Sequence, residues 1–170
     1  MPTRKERKRL YRSNMIQKIS LLVDSREQLP LDFDMTRFGE VRVQALPVGD
    51  YWCEIDGQEI PVAFERKALG DLFSTMTSGY ERFKHEVKRA KDSNITLILV
   101  IEGSMREIAK GYKHSQFSGN SRLKKLAMLR VKYDLEFHFF NDRREMARYI
   151  EEIFLAIARW YKKEKINESV

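Results

Sequence analysis

One cysteine, Cys53, occurs in 170 residues. That count excludes an internal disulfide and any cysteine-rich zinc site. It also predicts an intracellular, reducing compartment, cytoplasmic or nuclear. Histidine is equally scarce: of His85, His114 and His138, no two have the spacing of a metal-ligand pair. His85 and His138 fall within regular elements and read as structural. Ser25 has no histidine or aspartate arrangement around it for nucleophilic work. No apolar run approaches the roughly 18 residues of a membrane span, and the N-terminus lacks the apolar core of a secretory signal. No internal repeat or low-complexity tract is present.

What the chain has is a 42% hydrophobic content and an excess of positive charge, 32 Lys+Arg against 25 Asp+Glu, for a net +7. The first figure predicts a folded globule with a true core, most simply one domain at this length. The second points to a polyanionic partner, because cationic side chains release counterions from phosphates. Residues 1–17 form a basic arm containing Arg4, Lys5, Arg7, Lys8, Arg9 and Arg12, suited to phosphate or to an import tag. Residues 18–165 form the folded body, and 166–170 a short tail.

Within the body the hydrophobic pattern predicts strands first. Ile19–Val23 ends at Asp24, and Val41–Ala45 alternates as a half-buried strand does. Tyr51–Ile55 and Ile60–Phe64 flank Asp56-Gly57, a pair suited to the positive φ angles of a tight hairpin turn. Pro61 suits a strand start or an edge. Ile95–Ile101 is apolar without alternation, as expected of a strand buried on both faces. Capping boxes at Ser78-x-x-Glu81 and Ser104-x-x-Glu107, and an Asp142-x-x-Glu145 start, predict helices after them. Residues 122–132 are helical in composition, Leu135–Phe140 reads as a last strand, and 111–121 as the longest loop. The order implies an α/β fold: a mixed central β-sheet flanked by helices.

The residues that carry chemistry are Gly49-Asp50, Glu65-Arg66-Lys67 and Asp71. Residues two apart on a strand share a face, so Glu65 and Lys67 point together and Arg66 points away. A partner strand brings Asp50 beside Glu65. Two carboxylates with the Arg66 carbonyl make an oxygen-rich pocket of the type Mg²⁺ favours. Lys67 then orients water and offsets charge on a phosphate; whether it also acts as a base stays open. Asp24, at the end of the first strand, and Glu27 are further candidate ligands, and Arg26 a forked phosphate clamp. Asp71 falls near a helix start, where it orients or caps. Together these residues point to metal-dependent cutting of nucleic acid.

Three segments, Val23–Glu27, Leu46–Tyr51 and Phe64–Leu72, resemble the nuclease domain of the XPF/Hef endonucleases, within the PD-(D/E)xK nuclease superfamily. Ser78–Phe83 fits the same pattern, and the likeness extends over about Lys18–Lys162, so 18–165 is read as a nuclease domain. The resemblance implies a restriction-endonuclease-like sheet flanked by helices, Mg²⁺- or Mn²⁺-dependent cleavage of DNA at branched, flapped or junction structures, and homodimers. Carried over by motif, Asp24, Asp50, Glu65, Lys67 and Asp71 are active-site positions, with Arg26, Glu27 and Arg66 in support. The metal ligands would be Asp24, Asp50, Glu65 and Arg66.

The family commonly adds a tandem helix-hairpin-helix module or a helicase part, and neither pattern occurs in these residues. DNA contact then falls to the arm (Arg4, Lys5) and to Lys113, Arg122, Lys124 and Lys125, with Tyr112 or Phe117 stacking on an unpaired base. In the last helix Met146, Tyr149, Ile150, Ile153, Phe154, Ile157, Trp160 and Tyr161 form a broad apolar stripe. Leu155 and Trp160-Tyr161 exceed what covers a sheet, and are expected to join two copies. Two other readings share this fold: a catalytically silent DNA-binding or scaffold subunit, and a resolvase or restriction-type cutter.

Overall fold

The apolar run after Asn94 forms the strand β6 (Thr96–Glu102), and both of its faces are covered. Leu97, Leu99 and Ile101 pack with one hydrophobic cluster, Ile98 and Val100 with the other. This explains the missing alternation: neither side of the strand meets water. The computed structural model describes residues 3–16, 19–110 and 119–167, with side chains for all of these except 12–16, 119 and 162–167.

Around β6 lie β1 (Ile19–Asp24), β2 (Glu40–Gln44), β3 (Tyr51–Ile55), β4 (Gln58–Glu59), β5 (Val62–Ala68) and β7 (Glu136–Phe140). They make one seven-stranded mixed sheet in the order β2-β1-β3-β5-β6-β7, with β4 paired to β3. β1 is parallel to β2, β5 to β6 and β6 to β7, while β3 runs antiparallel to both β1 and β5. The carboxyl ends of β1, β5, β6 and β7 therefore share one edge, and β3 starts there.

One face of the sheet is covered by α2 (Leu69–Thr75), α3 (Tyr80–Asp92), α4 (Met105–Lys110) and α5 (Gly119–Tyr133), through Leu72, Phe83, Val87, Ile108, Leu126 and Leu129. The other is covered by α6 (Arg143–Asn167), which buries Met146, Ile150, Phe154 and Ala158 against Tyr51, Phe64 and Val100. Phe154 meets Phe64 edge to face at 5.3 Å between ring centroids. Leu155 is 1% exposed and belongs to this core, so it is not the surplus that its sequence position suggests. Its neighbour at the helix end, Trp160, is 62% exposed.

The Asp56-Gly57 turn forms with φ of 54° and 77°, as its residues demand. The returning strand is shorter than expected, because the pairing slips. Three steps along β3, from Tyr51 to Glu54, face five along the return, from Glu59 to Phe64. Pro61 lies in this slip, where its missing N–H breaks the ladder. Beyond it, β5 pairs with β6 along its whole length.

Helix starts follow the capping chemistry unevenly. Ser104 and Glu107 form the reciprocal box, with Ser104 N–H donating to Glu107 Oε2 at 2.7 Å and Glu107 N–H to Ser104 Oγ at 3.3 Å. Asp142 Oδ1 accepts the Arg144 N–H at 2.6 Å. Ser78 does not cap; the N-cap of α3 is Gly79, whose N–H donates to Ser74 O in the tight turn from α2. The basic arm forms α1 (Arg4–Ile16), opened by a Thr3–Glu6 box, and it packs against α6. Among the described residues no helix is long and apolar enough to cross a membrane.

Candidate active site

Asp50 is fixed at the start of β3 by three hydrogen bonds. Asp24 N–H donates to Asp50 O at 2.8 Å, and Asp50 N–H to Phe64 O at 2.7 Å. Its side chain accepts the Arg66 N–H on Oδ2 at 2.7 Å. Gly49 makes this approach possible. Its φ is +71°, and a Cβ there would stand 2.9 Å from Phe64 O, a contact no side chain tolerates.

Glu65 and Lys67 share the β5 face toward α3, as the period of two requires. Lys67 Nζ donates to Glu65 Oε1 at 2.7 Å, and the two side chains are 11% and 12% exposed respectively. The ammonium also stands 5.6 Å from the Phe83 ring centroid. Arg66 turns to the opposite face. It forks onto Glu27 at 3.0 and 3.2 Å and reaches Glu102 Oε1 at 2.7 Å. Arg143 also bonds Glu102 and donates to Leu29 O at 2.7 Å, so this network braces the loop after β1 against β5, β6 and α6.

Asp24 is 2% exposed and saturated with donors. Oδ1 accepts Arg26 N–H (2.7 Å) and Nε (2.8 Å); Oδ2 accepts Arg26 Nη2 (2.6 Å) and Leu46 N–H (2.9 Å). The grip holds Arg26, itself 69% exposed, at the mouth of the site. Its carboxyl lies below the usual range, first because of the Arg26 hydrogen bond.

These groups meet in one cleft of about 470 Å³ lined by Asp24, Arg26, Glu27, Asp50, Glu65, Arg66, Lys67 and Asp71. Asp71 stands there in the first turn of α2. A larger hollow of about 650 Å³ lies elsewhere, along Arg37 and Glu151, away from these carboxylates. Three further residues line this carboxylate cleft from α3: Arg82, Glu86 and Arg89. Sequence reading missed them. The signal was their i, i+4, i+7 spacing, a polar stripe beside the buried Phe83, Val87 and Ala90.

Burial dominates the electrostatics. It pushes the Asp50 carboxyl up to about 6 against the pull of the Arg66 N–H, and Glu27 and Glu86 add to the rise. It pushes Glu65 up to about 8, with Asp50 and Glu86 adding and Lys67 opposing. Burial alone disfavours the Lys67 charge, but Glu65, Glu86 and Asp50 hold the proton and the net shift is upward. Burial and acidic neighbours thus raise Asp50 and Glu65 despite the Lys67 ammonium, an environment that a bound dication would relieve. Among the described residues no three His, Cys, Asp or Glu side chains form a closed metal cage. Two carboxylates in an open, polar cleft match the donor set of Mg²⁺, which keeps several waters and takes phosphate oxygens.

The ERCC4 domain model matches residues 23–153. The chain belongs to the ERCC4 domain family. Its fold is that of the XPF-type nuclease domain, to which solved structures are similar. One is XPF from Aeropyrum pernix (TM-score 0.61, 20% identity, covering 86% of this chain and 69% of that one). Another is XPF from Aeropyrum pernix in complex with DNA (TM-score 0.58, 21% identity, 85% and 66%). The chain spans about two thirds of the length of those relatives. No curated protein matches.

In this ERCC4 domain the expected DNA contacts are scattered. Arg4 and Lys5 lie exposed on α1 and Lys124 is exposed on α5, while Lys125 Nζ donates to Met76 O at 2.7 Å. Arg122 is 3% exposed, and its guanidinium stacks on Phe73 at 4.5 Å. It is an interior residue, not the surface phosphate contact its sequence neighbours suggest. Lys113, Tyr112, His114 and Phe117 lie outside the described residues.

Proposed function

We propose that this ERCC4 domain is a Mg²⁺- or Mn²⁺-dependent DNA endonuclease acting on branched, flapped or junction DNA. The reading is carried by Asp50 and Glu65 lining one cleft beside the Lys67 ammonium, with Arg26 at its mouth. A solved relative bound to DNA supports the choice of nucleic acid.

Asp50 and Glu65 would hold the cation, with the Arg66 carbonyl. When bound, such an ion lowers the pKa of a water and offsets charge on the phosphate. The rest belongs to the chain. Lys67, kept protonated, donates to the attacked phosphate and stabilises the charge that builds there. That protonation argues for an electrostatic role over that of a base. Arg26 presents its remaining donors to a phosphate, and Asp24 orients it; those four filled contacts favour Asp24 as a positioning residue over a metal ligand. Glu27 and Arg66 hold the loop that carries Arg26. Asp71 orients groups at the cleft rim. Two copies pair through the C-terminal helix around Trp160, a contact that light scattering at micromolar concentration tests.

The decisive assay is cleavage of labelled duplex, flap, fork and four-way DNA with Mg²⁺, Mn²⁺ or EDTA. Asp50→Ala and Lys67→Ala abolish cutting and keep most DNA binding. Undiminished cutting by Asp50→Ala refutes the metal assignment. Binding without cutting on every substrate favours the silent subunit.

A further inference from the structure

The far wall of the cleft is α3, and its charges divide by face. On the solvent side Lys84 pairs with Glu81 at 3.3 Å and Lys88 with Asp92 at 2.6 Å. On the cleft side stand Arg82 and Arg89. Among the described residues neither has a carboxylate within ion-pair distance; Arg89 Nε makes one long contact, 3.4 Å, to Pro47 O. Two exposed guanidiniums thus face a cleft whose floor carries Asp50 and Glu65, with the Arg26 guanidinium lining the same cleft.

We infer that Arg82 and Arg89 hold the DNA backbone on either side of the scissile phosphate. The assignment rests on the nuclease reading and adds the wall that grips the substrate. Seven helical residues rise about 10 Å, close to three phosphates of one strand at about 3.4 Å each along the axis. Guanidinium is the group for this task, because its planar fork takes two phosphate oxygens at once. Glu86, between the two arginines on the same stripe, lines the same cleft and repels a phosphate from the middle of α3. The phosphate to be cut is left to the floor.

The test compares two charge-matched double variants of the full chain: Arg82→Ala with Arg89→Ala, and Lys84→Ala with Lys88→Ala. Circular dichroism first establishes that both are folded. Binding to fluorescent forked DNA is measured by anisotropy in EDTA across a salt series, and cleavage kinetics in Mg²⁺. The arginine pair should lose about tenfold or more in affinity and about 1.8 from the log–log salt slope, near 0.9 per lost phosphate contact. Its KM rises more than its kcat falls. The lysine pair should stay within about twofold with an unchanged slope. Equal behaviour of the two pairs, with an active wild type, overturns the arginine assignment alone. Absence of cutting by the wild type on every substrate overturns the nuclease reading beneath it.

Discussion

Asp50 is tied to β5 by a 2.7 Å hydrogen bond from the main-chain N–H of Arg66 to its carboxylate. The side chain thus occupies a place in the ladder that a strand partner would otherwise fill. It brings the acid into the cleft that Glu65 also lines, where its charge acts on Glu65. Cost and use coincide here: two half-buried acids line one cleft, and a bound cation would relieve their repulsion.

That arrangement has a pH signature. Native Asp50 keeps its proton up to about 6 and Glu65 up to about 8, against ordinary values of 3.8 and 4.5. Between those limits the folded state binds more protons than the unfolded one, so metal-free stability falls as pH rises through the window. Thermal melts in EDTA from pH 4 to pH 8 should show that decline. Asp50→Asn should flatten it and melt higher than wild type at pH 8. Mg²⁺ should raise the wild-type midpoint at pH 8 and leave Asp50→Asn unmoved.

Gly49→Ala should damage the site before the fold. The substitution places a Cβ 2.9 Å from Phe64 O at a φ of +71°, a strain of about 1–3 kcal/mol. Because the obstacle is backbone, the relief comes from shifting Asp50. The expected result is a lower melting midpoint together with loss of cutting at temperatures where the protein is fully folded. Full activity in a folded Gly49→Ala protein would show that the Asp50 position is not critical.

Asp24→Asn separates positioning from metal binding. Asparagine presents an N–H₂ where Asp24 accepted from Arg26 or Leu46, costing about 1–3 kcal/mol of stability. The depressed native carboxyl contributes stability above its ordinary 3.8, lost as pH falls through its lower folded value. If Asp24 acts through Arg26, DNA affinity falls and the metal concentration for half-maximal cutting stays constant. A rise in that concentration identifies Asp24 as a ligand instead.

Phe154→Ala tests the core apart from the cleft. Phe154 is fully buried against Phe64, the residue just before Glu65. A loss of about 3–5 kcal/mol is expected from the cavity, seen as a lower denaturant midpoint. Binding of forked DNA below the transition should be unchanged. A drop of less than about 1 kcal/mol would mean that α6 collapses to fill the space.

The sequence was readable wherever a local rule dominated. The period of two put Glu65 and Lys67 on one face and Arg66 on the other, the unbroken apolar run marked β6 as buried on both faces, and Asp56-Gly57 marked the turn between β3 and β4. Each depends on residues a few positions apart, so local residue order alone carries the information. Arg82, Glu86, Arg89, Arg122 and Leu155 escaped because their roles depend on what lies opposite them. The stripe on α3 acquires its meaning from β5 across the cleft. Arg122 looks like a surface cation until Phe73 covers it, and Leu155 looks surplus until α6 crosses the sheet. Asp24 is the sharpest case: its chemistry as an acid was plain from the chain, but only the fold filled its lone pairs with Arg26 and Leu46. Residue type and spacing determined which groups were available to a dication and a phosphate. Long-range pairing decided which of them still had electron pairs to offer.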